Sequence, residues 1–288
     1  MAPAGLNARL CPSTRAHALV RGDMSEEGAM RLEDFYRISA EHYDADYRAR
    51  GHVEDIPMYV ELARKSGGPV LEMGCGTGRI LIPIAREGIA VHGIDMSDDM
   101  LRQLRMSLSH EPQAVQDAVR ITRGDIRSAR VTGEFALVMA PFRVAQHLLT
   151  REDQKAWLRN VRHHLRAGGE LVFDVFNPDF SRMTGTRSHV DVERQIPGGR
   201  VLRRYAEFEA HFEVQVLEIE LTWAIEDQGG RVYERKARFQ MRWYTRPELE
   251  NLLELEGFEV LDFWGSFKRE AFGAASSEQV VRAKVKNT

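Results

Sequence analysis

From Val70 to Phe176 short apolar runs alternate with amphipathic stretches, the pattern of βα units stacked on a parallel sheet. The runs are Val70–Met73, Ala90–Ile94, Val119–Thr122, Phe135–Met139 and Leu171–Phe176. Between them Met100, Leu101, Leu104 and Leu108 recur at helical spacing after Ser97, which predicts a helix capped by Ser97 with Asp98 and Asp99 favourably placed against its dipole. A second helix is predicted from Thr150, with Thr150 and Asp153 as caps and Trp157, Leu158, Val161 and Leu165 on one face, ending at Gly168-Gly169.

Ahead of the sheet, Leu32 to Tyr47 and Ile56 to Ala63 carry helical apolar spacing before Gly67-Gly68-Pro69 breaks the chain. Beyond it, Tyr205 to Trp243 alternates with period two and is punctuated by Pro197-Gly198-Gly199 and Asp227-Gln228-Gly229-Gly230, which predicts antiparallel strands. Phe212, Val214 and Val216 share one parity and Leu217, Ile219, Leu221, Trp223 and Ile225 the other, so a bulge or bend is predicted near Val216. A capping box of Thr245 and Glu248 opens a last helix with Leu249, Leu252 and Leu253 as its stripe, and Phe258–Trp264 and Gln279–Lys284 read as two final strands.

The expected architecture is α/β: a doubly wound, mostly parallel seven-stranded sheet with an antiparallel β insertion after the fifth strand. It divides into an extension over 1–30, lid helices over 31–66, a nucleotide-binding core over 67–180, the insertion over 181–244 and a return to the core over 245–288. In the insertion, Tyr233, Ala237, Phe239, Met241 and Trp243 read as core; the sharper alternative is a roof over an acceptor pocket, with Trp223, Trp243 or Arg242 contributing, or a face that pairs with a second subunit.

Composition narrows the classes. With 43 acidic against 40 basic residues, a net charge of −3, the chain shows no electrostatic footprint for a phosphate backbone, so no DNA partner is expected. Its two cysteines, Cys11 and Cys75, make no disulfide framework, which suits the cytoplasm, and no Cys/His spacing calls for a metal. No apolar run approaches the roughly 20 residues that span a bilayer, so no membrane partner is expected. Residues 1–22 hold Arg9, Arg15 and Arg21 and no acid, the look of an organelle-targeting peptide; the simpler expectation is a disordered extension, or a start at Met24 or Met30.

The chemistry concentrates in Val70-Leu71-Glu72-Met73-Gly74-Cys75-Gly76-Thr77-Gly78, a strand followed by glycines spaced G-x-G-x-G, where missing side chains let a ligand approach the backbone. A dinucleotide fingerprint would need glycine at position 79, which is Arg79. The second strand ends at Asp95, a carboxylate suited to both hydroxyls of a ribose, and the third is followed by Asp125-Ile126, suited to an exocyclic amine and a purine face. Together they describe an adenosine pocket.

With these motifs the chain resembles the class I S-adenosylmethionine-dependent methyltransferases: Leu71–Gly78 is similar to their first motif and Gly93-Ile94-Asp95-Met96-Ser97 to their second. The resemblance covers residues 35 to 284. It implies S-adenosylmethionine as cofactor and S-adenosylhomocysteine as product. Glu72 would lie near the methionine end, Gly74 and Gly76 against the cofactor with Cys75 and Gly78 in the same loop, and Asp95 on the ribose. Met96 would sit beside adenine, Asp125 and Ile126 at its edge, and Ala140 toward the methionine moiety. Cys75 reads as a packing residue, not a nucleophile.

Met139-Ala140-Pro141-Phe142 lacks the Asn/Asp-Pro-Pro-Tyr/Phe of the adenine-N6 enzymes, and the stretch to Leu148 resembles small-molecule members, including amino-sugar N-methyltransferases. That likeness makes His147 the candidate to orient or deprotonate the acceptor; a structural histidine bonded to backbone is the equal alternative. Tyr43 resembles the tyrosine that closes over the cofactor in the same group, with Tyr36 and Tyr47 as alternatives. The other histidines, His163-His164 included, read as solvated helix faces. The expected activity is methyl transfer to a small molecule, nitrogen preferred over oxygen. An RNA or protein methyltransferase and a non-catalytic cofactor-binding assembly protein are the alternatives, and a homodimer through the insertion is the expected assembly.

Overall fold

The computed structural model describes residues 54–181, 183 and 187–286. The N-terminal extension, the predicted helix over Leu32–Tyr47 and the candidates Tyr36, Tyr43 and Tyr47 lie outside the described residues. In chain order the elements are α1 (Asp55–Ser66), β1 (Val70–Met73), α2 (Leu81–Arg86), β2 (Val91–Asp95), α3 (Asp98–Ser109), α4 (Gln113–Asp117), β3 (Val119–Arg123), β4 (Phe135–Ala140), a 3₁₀ turn (Val144–His147), α5 (Arg151–His164) and β5 (Leu165–Phe176). Four strands follow, β6 (Arg187–Ile196), β7 (Arg200–His211), β8 (Val216–Glu226) and β9 (Val232–Arg242), then α6 (Arg246–Leu255), β10 (Phe258–Trp264) and β11 (Glu278–Val285).

The seven-stranded sheet has the order β10-β11-β5-β4-β1-β2-β3, with β1 to β5 parallel and β11 antiparallel to both of its neighbours. Successive residues of each strand point to opposite layers. Leu71 and Met73 join the layer with Trp157, Leu158 and Leu249, while Val70 joins the layer with Tyr59, Leu81 and Leu101. Both faces are therefore covered by helices, and the central strands read as continuous apolar runs because both sides are buried. Strand order reverses at β1, which pairs with β2 on one side and β4 on the other, so a crevice opens above their carboxyl ends.

Ser97 caps α3, its Oγ accepting from the Met100 N–H at 3.3 Å, and Thr150 caps α5, its Oγ1 accepting from the Asp153 N–H at 3.1 Å. The end of α5 differs from expectation. The helix stops at His164 and Leu165 already pairs with Phe135; Gly168 and Gly169 serve the irregularity that carries the register on to Leu137 opposite Glu170. A chain crossing straight from helix to strand there needs the left-handed φ of +74° at Gly168. His164 is also not solvated. It is fully buried, its Nε2 accepting from the Val131 N–H at 3.1 Å and its Nδ1 2.8 Å from the Asn160 carbonyl, so it ties α5 to the chain before β4.

The insertion is a four-stranded antiparallel sheet in the order β6-β7-β8-β9. Both glycine-rich punctuations are hairpin loops, and the change of parity near Val216 is a third: β7 ends at His211 and β8 begins at Val216, with Gln215 at a φ of +57°. A turn changes parity as a bulge does, which is why the pattern alone suggested a bend. The predicted Thr245 cap is absent: Thr245 makes no side-chain bond at the start of α6, and Glu248 instead accepts from Gln215 and Arg242. That exchange ties the insertion to α6.

Candidate functional site

One cavity of about 580 Å³ opens where the strand order reverses and runs up to the insertion. Its floor is Gly74, Gly76, Asp95, Met96, Gly124, Asp125, Ile126 and Arg127; its upper wall includes Ala206, Phe208, Leu217, Ile219, Leu221, Phe239 and Met241; Pro141 to Val144, His147 and Leu148 lie between. The floor residues come from the carboxyl ends of β1, β2 and β3, where a parallel sheet directs its loops together.

The glycines of the first loop play different parts. A Cβ on Gly76, whose φ is +51°, would meet nothing within 4 Å, so its open side is the cavity itself. A Cβ on Gly74 would press on Val144 Cγ2 at 2.5 Å, and one on Gly78 on Leu104 Cδ1 at 2.2 Å. Gly78 thus seats the loop on α3 and, like Cys75, does not line the cavity. Cys75 is buried beneath the loop against Gly93, and burial pushes its thiol well up, which suits packing. Asp95 clamps the loop: one carboxylate oxygen accepts from the Gly76 N–H at 2.8 Å and the other from the Ser97 N–H at 2.9 Å. Burial raises its pKa against those bonds.

Glu72 and Ala140 lie just behind the wall, both buried. Burial pushes the Glu72 carboxyl well above the usual range, opposed by Arg79, with Asp55 and Asp95 adding to the rise. Its Oε2 has no hydrogen-bond partner among the described residues. Asp125 is held by Arg127, whose Nε lies 2.9 Å and whose Nη2 lies 2.5 Å from Oδ2. Burial raises the Asp125 pKa, but Arg127 and its backbone N–H outweigh that and hold it below its ordinary value. An open glycine cradle, two carboxylates at strand ends, apolar Met96 and Ile126 beside them and a buried acid with one oxygen unpaired fit an adenosine that carries a cationic tail.

His147 ends the 3₁₀ turn and opens onto the cavity beside Phe239, its ring centroid 6.1 Å away. Burial pushes its pKa down to about 4, opposed by a hydrogen bond with the Gln240 backbone, so the ring is neutral near pH 7. The histidine therefore bonds backbone and also faces the cavity.

Three residues missed in the sequence hold this turn. Asp174 accepts from the Tyr59 hydroxyl at 2.7 Å and from the N–H groups of Phe142 at 2.7 Å and Arg143 at 3.1 Å, a corner where both residues have φ above +55°. Burial, with Glu278 nearby, raises the Asp174 pKa to about 7. Gln146 is fully buried; its Oε1 accepts from the Phe176 N–H and its Nε2 donates to the Arg242 carbonyl. The Tyr244 hydroxyl reaches the carbonyls of Ala145 and Leu148, each at 3.2 Å. The one available signal was an isolated acid, Asp174, inside the apolar run Leu171–Phe176.

The insertion is a roof, and the residues that form it differ from expectation. Trp223 packs with Val192, Leu202 and Ala237, Trp243 with Met183 and Leu217, and Arg242 donates to the Val214 carbonyl, Gln215 and Glu248. Tyr233, read as core, is 50% exposed. Phe239 and Met241 line the cavity.

Residues 70–169 match the family model described as a methyltransferase domain. The chain is 27% identical over 223 residues to the cypemycin N-terminal methyltransferase of a Streptomyces species, covering 75% of this chain and 82% of that protein. It is 25% identical over 232 residues to the dTDP-3-amino-3,6-dideoxy-alpha-D-glucopyranose N,N-dimethyltransferase of Streptomyces fradiae, covering 79% and 86%. The solved structure of the CcbJ methyltransferase from Streptomyces caelestis superposes with a TM-score of 0.73 at 25% identity, covering 86% of this chain and 96% of that one. Other curated relatives, such as the putative methyltransferase YqeM of Bacillus subtilis, align over only about half of their own length.

Proposed function

The chain is an S-adenosylmethionine-dependent methyltransferase, and from that premise we propose that it methylates the amino nitrogen of a small molecule. The observation that carries this reading is one continuous cavity from Gly76, Asp95 and Asp125 to the insertion, with a neutral His147 between its two ends.

When bound, S-adenosylmethionine supplies a methyl group already activated by a cationic sulfur. The protein's share is to place a lone pair in line with it and to exclude water. Gly76 would leave the backbone open to the cofactor beside Gly74, Asp95 would accept from the ribose, and Asp125 would accept from the adenine amine with Met96 and Ile126 against the purine. Glu72 and Ala140 would shape the methionine end from the layer behind, while Cys75 and Gly78 seat the loop. His147 accepts from the acceptor N–H and orients it. An imidazole whose pKa is about 4 is a poor base for a hydroxyl, whereas a neutral amine needs only orientation, which supports nitrogen over oxygen. Relatives named as acting on a peptide amino terminus and on an amino sugar agree with that choice.

In this reading residues 67–180 bind the cofactor, 181–244 roof the acceptor and 245–288 complete the sheet. The proposed compartment is the cytoplasm, which the free, buried thiol of Cys75 supports. A second copy of the chain is proposed to pair through the insertion, where Val190, Val232 and Tyr233 are exposed; light scattering that gives a monomer mass refutes the pairing.

The test is transfer of labelled methyl from S-adenosylmethionine to a panel of amines and matched alcohols. N-methylated product is expected, and O-methylation alone overturns the reading. His147→Ala should lower kcat about 10- to 100-fold with cofactor affinity unchanged.

A further inference from the structure

The wall that faces the acceptor is a register-matched apolar grid. Phe208, Ile219 and Phe239 stand opposite one another across β7, β8 and β9, Ala206, Leu221 and Ala237 form the next row, and Ala210, Leu217 and Met241 a third. The alternate positions on the same strands are Glu207, Glu209, Glu218, Glu220, Arg238 and Gln240. Over these three rows the face is apolar, the next row bringing Arg204 and Arg235 in beside Trp223, and much of the apolar part opens onto the cavity.

The charged groups at the same cavity are already engaged. Its lining cations are Arg127, Arg143 and Arg204, and each is held by carboxylates: Arg127 by Asp125 and Asp153, Arg143 by Glu278 at 2.8 Å and Arg204 by Asp191 through two bonds of 2.9 Å. A phosphate entering beside any of them would meet the paired acid as well as the cation, and would give up its hydration for little return.

We infer that the acceptor is an amine carried on a predominantly apolar body, without a phosphate or diphosphate group. The inference rests on the small-molecule nitrogen reading above and separates this chain from the relative whose named substrate is a dTDP-linked amino sugar.

The test measures binding of n-alkylamines from butylamine to octylamine, and of 6-aminohexyl phosphate, to the full chain saturated with S-adenosylhomocysteine. Each added methylene should tighten Kd about fourfold, the ratio that corresponds to ~0.8 kcal/mol per buried methylene. Hexylamine should bind at least about tenfold more tightly than 6-aminohexyl phosphate. A series that does not tighten with length, or tighter binding of the phosphorylated amine, overturns the inference. Leu221→Asp should flatten the series while S-adenosylhomocysteine still binds; Phe239→Ala, a milder change, should weaken octylamine more than butylamine. If both variants bind the whole series as the parent does, the grid is not the acceptor wall and the inference falls. Methylation of octanol but not octylamine, with the length dependence intact, would remove the nitrogen reading and leave the apolar acceptor site standing.

Discussion

Gly76 and Gly78 stand two residues apart in one loop, yet a side chain would meet opposite surroundings at them. At Gly76 it would project into open space, and at Gly78 into Leu104. Gly76→Leu should therefore cost only the strain of a left-handed L-residue, about 1–2 kcal/mol of stability, while weakening S-adenosylhomocysteine binding about a hundredfold or more. Gly78→Leu should chiefly overpack the seat on α3 and lower Tm. Calorimetric titration beside thermal unfolding separates the two, and equal loss of affinity with no difference in Tm would refute the division. The buried titrating groups predict opposite pH dependences. His147 has a folded pKa near 4 against 6.5 unfolded, so the unfolded chain binds the extra proton and this contribution to stability falls as the pH drops from about 6.5 to about 4. Asp174 has a folded pKa near 7 against 3.8, so the folded chain holds the extra proton, and that contribution is lost as the pH rises from about 4 to about 7. In denaturant unfolding at pH 4.5, 5.5 and 6.5 the slope of stability against pH should be more negative in His147→Ala and more positive in Asp174→Asn than in the parent. Asp174→Asn should also cost about 1–3 kcal/mol, because an amide cannot accept from all three donors that the carboxylate serves.

At the scale of elements, the roof is anchored where β9 meets α6. Arg242 donates to the Val214 carbonyl at 3.0 Å, to Gln215 Oε1 at 2.6 Å and to Glu248 Oε1 at 2.8 Å, and its own carbonyl accepts from Gln146 in the turn that carries His147. Arg242→Ala should loosen the roof without touching the floor, raising the acceptor KM about tenfold with the S-adenosylhomocysteine Kd within about twofold. A cofactor Kd that rises in step would show that roof and floor are one unit. Elements governed by local rules were legible in the sequence: the strand runs and the Ser97 and Thr150 caps depend on neighbours within a few residues. What escaped depends on distant partners. His164 is buried because Val131 needs an acceptor, Glu248 leaves the α6 cap because Arg242 claims it, and Gln146 and Tyr244 matter only once the insertion folds back over the turn. The apolar parity of β8 was plain as a pattern. Whether that face met a core or a cavity could not be told from alternation, since both demand the same residues.

On the scale of the whole molecule, a net charge of −3 is almost neutral, but its distribution is not. Glu72 on β1, Asp95 on β2, Asp174 on β5 and Glu278 on β11 are buried around the crevice, and burial raises the pKa of each. Arg79, paired to Asp55 at 2.6 Å, opposes the rise at Glu72, and Arg143, paired to Glu278, opposes it at Glu278. A positive ligand entering this acid-rich environment favours the ionised carboxylates, so its binding should drive protons off them. S-adenosylmethionine carries a positive sulfur and S-adenosylhomocysteine a neutral one; otherwise they differ by one methyl group. Titrating each ligand at pH 7 in two buffers of different ionisation enthalpy counts the protons released. Release should be greater for S-adenosylmethionine, and the excess should shrink in Asp174→Asn, since Asp174 has its folded pKa at about the working pH. As the pH rises from 6 to 8 and these acids ionise, affinity for S-adenosylmethionine should gain on that for S-adenosylhomocysteine. Equal proton counts for the two ligands would mean that the buried acids serve the fold and the loop alone, and that the sulfur's charge is met elsewhere.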